Sequence, residues 1–369
     1  MTRRMRIVAG LVAVTTVALG CAPGVGDADP SAGDPSAAEP AITTALDSAD
    51  ASDVITLSAV GDMILGDTPR LPAEPKDYLD PVKHAIRAGA QIRFANLEGT
   101  LTNEATDKCP AHSTQCFSFR NPPHYARIFK AAGFTILNDA NNHFNDFGAA
   151  GQAQTVRAIH RAGLAQTGRP GQITVVEAGG HKVAFVGFAP YTYAASLLDL
   201  DAAKALIAKA SRAARVVVVY MHAGAEGSDK THVTGSEEYA FGEDRGNPEK
   251  FAHMAIRNGA SLVIASGPHV LRGMQFYRGH LIAYSLGNFA NFHNFGGGGI
   301  LSQSAILHVT LSPSGRFVTG RLRSVVLDGE GRAAPGGSSV DTVRSLSKQD
   351  FGSHAARLGH TGVIRKPAH

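Results

Sequence analysis

Five polar clusters in the sequence carry side chains of the kind that bind divalent metal ions, and each follows an apolar run. In chain order they are SAVGDMILGD with Asp62, RFANLEGTLTN with Asn96 and Glu98, LNDANNHFNDFG with Asn142, YMHAGAEG with His222 and Glu226, and ASGPHVLRG with His269. Carboxylate, amide and imidazole donors without a thiolate suit Mn, Fe, Zn or Mg rather than a structural zinc site. The set predicts a centre of one or two divalent ions, which could activate water for attack on a phosphoryl or acyl group.

The densest cluster is LNDANNHFNDFG, with four asparagines, two aspartates and one histidine. Asn142 offers a neutral oxygen to a metal ion, and His143 could protonate a leaving group because imidazole titrates near neutral pH. Asp146 is the second catalytic candidate in this stretch. The alternative is structural: Asn141 or Asn142 caps a helix that begins near Gly148, and Asp146 stabilises the helix N-terminus.

Short apolar runs alternate with amphipathic segments from Val54 onward, which is typical of α/β architecture with buried strands. The predicted strands are 54–60, 93–98, 134–139, 216–222 and 261–266. The predicted helices lie within 81–90, 123–133, 153–163 and 247–260. Antiparallel hairpins are predicted to turn at Gly179–Gly180, Arg278–Gly279 and Pro313–Gly315. Because ligands bind beyond the C-terminal ends of strands in open α/β sheets, we expect the five clusters to meet at one edge.

Residues 1–21 have the features of an export signal, since three arginines precede a fourteen-residue apolar run that is short for a membrane span. The run ends at VALGC, which is similar to a bacterial lipobox and predicts a lipid anchor on Cys21. Ordinary secretion or an uncleaved anchor is the alternative. Residues 22–53 hold seven acidic residues and no Lys or Arg, which predicts a disordered acidic linker. The expected location is extracytoplasmic, at the cell membrane.

The formal net charge of +4 owes three of its positive charges to arginines in the first six residues. No basic patch with interleaved aromatic residues occurs, so nucleic acid is not an expected partner. Beyond the export signal only Cys109 and Cys116 remain, and export favours a disulfide between them over a metal site. The segment 329–369 is rich in Gly and Ser and then basic, which predicts a loosely ordered tail.

The motifs GDMILG, NLEGTLT, NNHFNDFG, HAGAE and PHVLRG…LIAYSLGNF resemble, in order and spacing, the CapA/PgsA family of capsule and poly-γ-glutamate biosynthesis proteins. The resemblance covers about residues 54–295. It implies a single domain over 54–328, similar in fold to calcineurin-like metallophosphatases, with a β-sandwich flanked by helices (α/β/β/α). It also places Asp62, Glu98, Asn142, His222 and His269 at metal-ligand-like positions and His143 at the general-acid-like position. Asn96, Glu226 and Asn288 are expected to line the site.

The resemblance implies an exported, lipid-anchored protein that hydrolyses a phosphoester or amide bond while an acidic capsule polymer is made, released or anchored. Two imidazoles of the metallophosphatase pattern are replaced, by Ile64 after Asp62 and by Gly267 before His269. NLE stands in place of the bridging aspartate motif. The alternative is therefore a non-catalytic accessory protein that binds the acidic polymer or its membrane synthase through a degenerate cleft.

Overall fold

The computed structural model describes residues 53–110, 116–293 and 298–367, which belong to one compact unit, Ser48–His369. The predicted export signal, Cys21 and all of the predicted linker except Asp53 lie outside the described residues. Within the ranges that the structure describes, no helix is both long enough and apolar enough to span a membrane.

Short strands and helices alternate along the chain. The helices are α1 (Lys83–Arg87), α2 (Ala126–Ala132), α3 (Gly148–Arg161), α4 (Leu200–Ala213), α5 (Pro248–Arg257) and α6 (Ser339–Phe351). The strands are β1 (Ile55–Ile64), β2 (Ile92–Leu97), β3 (Thr100–Leu101), β4 (Arg120–Asn121), β5 (Ile136–Asn138), β6 (Ala165–Thr167), β7 (Thr174–Ala178), β8 (His181–Ala189), β9 (Ala195–Ser196), β10 (Val216–His222), β11 (Tyr239–Ala240), β12 (Glu243–Asp244), β13 (Leu262–Ser266), β14 (Met274–Tyr277), β15 (His280–Ala283), β16 (Asn288–Asn291), β17 (Gln303–Leu311), β18 (Phe317–Leu327), β19 (Ala333–Pro335), β20 (Arg357–Leu358) and β21 (Val363–Arg365). Short 3₁₀ helices lie at Pro75–Tyr78, Asp80–Val82, Pro123–Tyr125, Gly299–Ser302 and Gly352–His354.

Two large sheets contain most of the strands. The first sheet has the order β20-β21-β18-β17-β1-β2-β5-β6, with β16 paired to β1 and β19 paired to β18. The second sheet has the order β14-β15-β13-β10-β8-β7, with β9 paired to β8. Strands β1, β2, β5 and β6 run parallel to one another, as do β8, β10, β13 and β15. Parallel strands end at the same edge of a sheet, so the residues that follow them lie close together.

Three apolar clusters hold the layers together. The central cluster fills the space between the sheets, where Phe94 of β2 stacks on Phe185 of β8 and contacts Tyr220 of β10. A second cluster joins the first sheet to α1, α2 and α3, and a third joins the second sheet to α4 and α5. Alternate residues of β10 enter the central and the third cluster, which explains its continuous apolar sequence. The predicted α/β/β/α sandwich is confirmed.

The prediction of a loosely ordered tail over 329–369 is wrong for the described residues, which extend to Pro367. This segment contains β19, α6, β20 and β21, and β21 pairs with β18 of the first sheet. Val343 of α6 packs into the central cluster together with Leu358 and Ile364. The Gly and Ser residues form the turn between β19 and α6, so they connect two ordered elements. The domain therefore continues beyond its predicted end.

We expect Ile364→Ala to lower the free energy of unfolding by about 2–5 kcal/mol, because it removes buried apolar atoms from the central cluster. The measurement is equilibrium denaturation in urea. Lys366→Ala, two residues away and exposed, is the control and should change stability by less than about 0.5 kcal/mol. Equal stability of Ile364→Ala and the control would mean that the C-terminal segment is not part of the cooperative core.

Candidate metal centre

Four predicted metal ligands from the two large sheets meet where the parallel strands end. Asp62 lies in β1 and Glu98 directly follows β2, whereas His222 ends β10 and His269 follows β13. One ligand atom each of Asp62, Glu98 and His269 lies within 4.8 Å of the others. His222 Nε2 lies 3.4 Å from Glu98 Oε1. All four side chains are buried, and we call them the strand-end cluster.

A β-bulge in β1 directs Asp62 into this cluster. The register with β2 shifts between Val60 and Asp62, and the register with β16 shifts directly after Asp62. Gly61 is required at the bulge because a Cβ there would lie 1.8 Å from the Gly287 carbonyl oxygen. The Asp62 amide donates to that same carbonyl over 3.0 Å. The Gly-Asp pair after the first apolar run therefore sets the position of the carboxylate.

Neutral donors hold the Asp62 carboxylate. Asn96 Nδ2 donates to Oδ1 over 2.7 Å, and the Ser266 hydroxyl donates to the same oxygen. The Gly267 amide donates to Oδ2 over 3.3 Å. Burial raises the pKa of Asp62, and the nearby His269 together with these donors opposes the rise. The carboxylate is thus fixed in direction before any ligand binds.

Glu98 is fully buried, and neither of its carboxylate oxygens has a hydrogen-bond partner among the described residues. Oε1 lies 3.4 Å from His222 Nε2 and 3.7 Å from His269 Nε2. Burial, with repulsion from Asp62 and Glu226, raises the pKa of Glu98 well above its usual value. Burying a carboxyl group without hydrogen-bond donors costs folding free energy unless a cation or a donor approaches it.

His222 is a neutral imidazole in this environment. Burial lowers its pKa well below the usual value, and the nearby Arg245, His269 and His143 lower it further. Its approach to Glu98 is therefore a contact between an uncharged ring and a carboxyl group rather than an ion pair. Nε2 of His222 has no hydrogen-bond partner in the described part of the chain. Neutral imidazole is the form that binds metal ions.

Asn288 fixes the orientation of His269. Nδ1 of His269 lies 2.9 Å from Asn288 Oδ1, and Asn288 Nδ2 donates to the His269 carbonyl over 3.0 Å. Because an amide oxygen only accepts, Nδ1 donates the proton in this hydrogen bond, and Nε2 is the ring nitrogen on the side away from Asn288. Nε2 lies 3.6 Å from Glu226 Oε2. The φ of 61° at His269 is unfavourable for this residue type, and the double hydrogen bond to Asn288 helps to maintain it.

Glu226 reaches the cluster through Arg245, an arginine that the sequence pattern did not predict. Arg245 is 2% exposed and pairs with Glu226 Oε1 over 2.7 Å and with Glu243 over 3.1 Å. This pairing leaves Glu226 Oε2 beside His269. The guanidinium carbon also lies 5.8 Å from the centre of the Tyr191 ring. Arg245 therefore positions one more carboxylate oxygen at the cluster.

The two positions that differ from the metallophosphatase pattern contribute no metal donor. Ile64 is fully buried, and its side chain is apolar. Gly267 has a φ of 121°, and a Cβ there would lie 3.2 Å from the Ala223 amide nitrogen. Backbone in this region favours glycine, so the missing imidazole at this position has a conformational reason.

LNDANNHFNDFG forms a wall of the site, and the helix-cap interpretation is wrong. Helix α3, which follows the stretch, begins without a side-chain cap. Asn141 Nδ2 instead donates to Asn96 Oδ1 and to the Leu97 carbonyl over 3.1 and 2.8 Å. Asn141 Oδ1 accepts from the His143 amide over 3.0 Å. The next residue, Asn142, has a buried Oδ1 with no hydrogen-bond partner among the described residues.

Asp146 holds the imidazole of His143 in place. Asp146 Oδ2 lies 2.8 Å from His143 Nδ1 and accepts from the Phe119 amide over 2.7 Å. Asp146 Oδ1 pairs with Lys108 over 2.7 Å. The Phe119 ring lies 4.4 Å from the imidazole, which is 6% exposed. Asn141 bonds both the His143 amide and Asn96, and Asn96 in turn bonds Asp62, so this pair lies next to the strand-end cluster.

A disulfide lies next to the residues that supply these contacts. Cys109 and Cys116 are bonded, and Lys108 directly precedes the first of them. Lys108 Nζ also donates to the Asn142 carbonyl over 3.1 Å, and the Tyr193 hydroxyl donates to the same carbonyl over 3.3 Å. Lys108 therefore contacts both the backbone of Asn142 and the carboxylate of Asp146, which holds His143.

The donor set fits a divalent cation. Both Glu98 oxygens, His222 Nε2 and Asn142 Oδ1 are buried without hydrogen-bond partners among the residues described. Glu98 and Asp62 are fully buried and lie close together, and this burial raises the pKa of both carboxyl groups. A bound cation would satisfy all of these groups at once, and oxygen and imidazole donors suit a divalent metal ion.

The predicted site residues occupy three zones of the structure. The strand-end cluster consists of Asp62, Glu98, His222 and His269, and the residues that contact it are Asn96, Glu226 and Asn288. The adjacent wall contains Asn142, His143 and Asp146. The residues that the sequence pattern missed are Ser266, Arg245, Lys108 and Tyr193. Ser266 ends the fifth predicted strand and could have been found from that position, whereas Arg245 follows no apolar run.

Asp139, directly after β5, is a buried carboxyl group outside the cluster. Gln166 Nε2 donates to both of its oxygens over 2.7 and 2.8 Å. Burial raises the pKa of Asp139 to about 8, against the opposing effects of Gln166 and Arg169. Because this pKa lies above the usual 3.8, the folded protein keeps a proton that the unfolded chain releases.

The stability from this proton should be fully present below about pH 4 and lost as the pH rises through about 8. We expect the free energy of unfolding of the wild type, relative to Asp139→Asn, to fall between these limits by on the order of 1 kcal/mol per pH unit. Urea denaturation across this pH range measures the difference. Parallel stability curves for the two proteins would show that Asp139 titrates normally.

Two nucleotidases are among the solved structures to which this chain is similar. One is a putative 5′-nucleotidase from Staphylococcus aureus in complex with alpha-ketoglutarate, which is 12% identical with a TM-score of 0.42. The aligned region covers 79% of this chain and 58% of the nucleotidase. The other is a 5′-nucleotidase precursor from Thermus thermophilus, which is 11% identical with a TM-score of 0.42. The aligned region covers 80% of this chain and 59% of the precursor. This chain thus spans less than two thirds of the length of either nucleotidase.

Two curated relatives are capsule proteins. This chain is 25% identical over 292 residues to the PGA biosynthesis protein CapA of Bacillus subtilis, which covers 72% of this chain and 70% of the relative. It is 31% identical over 185 residues to the capsule biosynthesis protein CapA of Bacillus anthracis, which covers 44% of this chain and 41% of the relative. The family model described as "Bacterial capsule synthesis protein PGA_cap" matches residues 56–293, which include the whole strand-end cluster. The predicted resemblance is confirmed, and this protein belongs to the PGA_cap family of bacterial capsule synthesis proteins.

Proposed function

We propose that this protein is an exported, lipid-anchored, metal-dependent hydrolase that cleaves a phosphoester or amide bond during synthesis of an acidic capsule polymer such as poly-γ-glutamate. The observation that carries the proposal is the strand-end cluster, where buried atoms of Glu98 and His222 have no hydrogen-bond partner among the described residues. A His143–Asp146 pair lies beside it. Membership of a capsule synthesis family supports the pathway, and one relative is named for PGA biosynthesis.

The residues that would hold the metal are Asp62, Glu98, His222 and His269, with Glu226 and Asn142 as further oxygen donors. A divalent ion in such a site lowers the pKa of bound water and stabilises charge on a phosphoryl or acyl oxygen. Glu98 has a central place because its Oε1 faces both imidazoles, at 3.4 and 3.7 Å. Mn, Fe, Zn and Mg are all compatible with this donor set.

His143 is the general acid in this proposal. Asp146 accepts a hydrogen bond from Nδ1 of His143. Nε2 is therefore the ring nitrogen that faces away from Asp146, and it donates a proton to the leaving group. Lys108 and the Phe119 amide keep the Asp146 carboxylate from turning away from His143. The arrangement gives the acid a fixed direction next to the cluster.

Export is proposed from residues 1–21, with a lipid anchor on Cys21 and the acidic linker 22–53 as the tether. Several acyl chains on one cysteine would hold the protein firmly at the outer surface of the cell membrane. The disulfide between Cys109 and Cys116 supports an oxidising compartment, because such bonds rarely persist in the cytosol.

A second candidate is a non-catalytic accessory protein that binds the polymer or its membrane synthase through the same cleft. The observation that favours it is the replacement of two expected imidazole positions by Ile64 and Gly267. Metal binding separates the two functions, because the accessory role requires none.

We expect a divalent ion such as Mn²⁺ or Zn²⁺ to raise the melting temperature of metal-free protein, since binding at a hundredfold excess over Kd stabilises by about 2.7 kcal/mol. Glu98→Gln should abolish this gain. In chelator the same variant should be at least as stable as the wild type, because it removes a crowded carboxyl group. Thermal scans with and without metal, together with elemental analysis of the purified protein, measure both effects.

Glu177→Gln is the matched control because Glu177 is exposed on β7, far in sequence from every candidate ligand. It should keep the full metal-dependent gain. An equal gain in Glu98→Gln and the control would remove Glu98 from the metal site, and no gain in the wild type would favour the accessory function.

We expect His143→Ala to lower kcat on phosphoester or γ-glutamyl substrates by about 10²–10⁴-fold, because it removes the proposed proton donor. Asp146→Asn should lower kcat less, and both variants should retain the metal-dependent gain in melting temperature. Steady-state kinetics on substrates with good and poor leaving groups test the role, since a good leaving group needs less protonation. Full activity of His143→Ala on the poor leaving group would exclude His143 as the acid.

A further inference from the structure

The C-terminal segment carries more positive charge than the rest of the chain. Between Arg316 and Pro367 there are nine Lys and Arg residues against four Asp and Glu residues. The whole chain has a formal net charge of only +4. This segment lies beyond residues 56–293, which the family model matches.

Four exposed arginines of this segment lie on one face of the sheet edge formed by β18, β21 and β20. Arg321 and Arg323 are separated on β18 by one buried residue. Arg321 is directly opposite Val363 of β21, and Arg365, two residues further on, is directly opposite Arg357 of β20. Residues directly opposite one another, and residues two apart on one strand, point to the same side of a sheet. We call these four arginines the basic face.

The other side of the same strands is anchored in the protein core. Leu322, Leu358 and Ile364 are buried in the central cluster together with Val343 of α6. Strand alternation therefore holds the arginine backbones on a rigid support and directs their side chains outward. On such a support the spacing between neighbouring strands is about 4.8 Å, and between residues two apart on one strand about 6.6 Å.

The charges of the basic face are not neutralised within the described part of the chain, where no carboxylate lies within ion-pair distance of the four guanidinium groups. Arg344 of the same segment, by contrast, pairs with Asp341 over 2.6 Å. Like charges directly opposite one another destabilise a sheet, so the Arg357–Arg365 pair destabilises the pairing of β20 with β21. Such a pair indicates a surface that is complemented by an external anion.

We propose that the basic face binds a linear polycarboxylate chain, as a second contact between this protein and its acidic polymer. The polymer class rests on the proposed function, whereas the charge and geometry of the face do not. Arginine pairs with carboxylates through two parallel hydrogen bonds, so a row of guanidinium groups suits a chain of regularly spaced carboxylates. A cavity of about 310 Å³ beside Arg321 and Arg323, also lined by His360, extends the surface.

A soluble chain fits this face better than a membrane surface. Surfaces that insert into lipid combine positive charge with exposed aromatic or large apolar side chains. Among the exposed large apolar residues of the described chain, Val318 alone lies in the C-terminal segment. The four arginines are thus a charged surface without an apolar component to insert into lipid.

The test is fluorescence anisotropy with labelled poly-γ-glutamate, in chelator, so that the result is independent of the metal centre and of any hydrolysis. The triple variant Arg321→Gln, Arg357→Gln and Arg365→Gln should bind at least about tenfold more weakly than the wild type and show a shallower dependence on salt. The control removes the same charge from the exposed side of α4, by Lys204→Gln, Lys209→Gln and Arg212→Gln. It should change polymer binding less than about twofold.

Equal weakening by the two triple variants would show that only net charge matters and would overturn the proposal. Tighter binding of the wild type to vesicles of phosphatidylglycerol than to the polymer would identify a membrane contact instead. Polyphosphate binding as tightly as poly-γ-glutamate at equal charge would show a general polyanion surface without preference for carboxylates. Loss of polymer binding in the first variant, with its melting temperature unchanged, supports the proposal even if the hydrolase assays fail.

Discussion

The crowding of two buried carboxyl groups against two buried imidazoles is the constraint on which the site depends. Asp62 and Glu98 come from the first sheet and His222 and His269 from the second, so the cluster exists only while the two sheets remain packed. Repulsion between the two carboxyl groups, and the loss of hydration of all four side chains, oppose folding in the absence of a ligand. The large central apolar cluster supplies the opposing stabilisation, since it joins the same strands directly beneath the site.

The scaffold also separates two chemical tasks. Parallel strand ends, a bulge at Gly61 and the left-handed backbone of His269 position the proposed metal ligands. Lys108, directly before the disulfide-bonded Cys109, pairs with Asp146 and so helps to position the His143–Asp146 pair on the adjacent wall.

Much of this arrangement could be predicted from the sequence, because buried parallel strands give continuous apolar runs that end in polar residues. Strand 216–222 was predicted with its observed bounds, and the clusters after the five strands led to the convergent site. Helix α4 escaped prediction because it buries mostly small residues such as Ala203 and Ala210. The ordered C-terminal segment was missed because its Gly and Ser residues have the composition of a tail. Arg245 was missed because its role depends on a tertiary contact with Glu226.

The most direct test of the central claim is a crystal structure of the protein soaked in Mn²⁺, with anomalous scattering used to locate the ion. We expect an anomalous peak among Asp62, Glu98, His222 and His269, at about 2.0–2.6 Å from oxygen and imidazole donors. A saturating soak that leaves this position without a peak, while the four side chains keep the arrangement described, would contradict it.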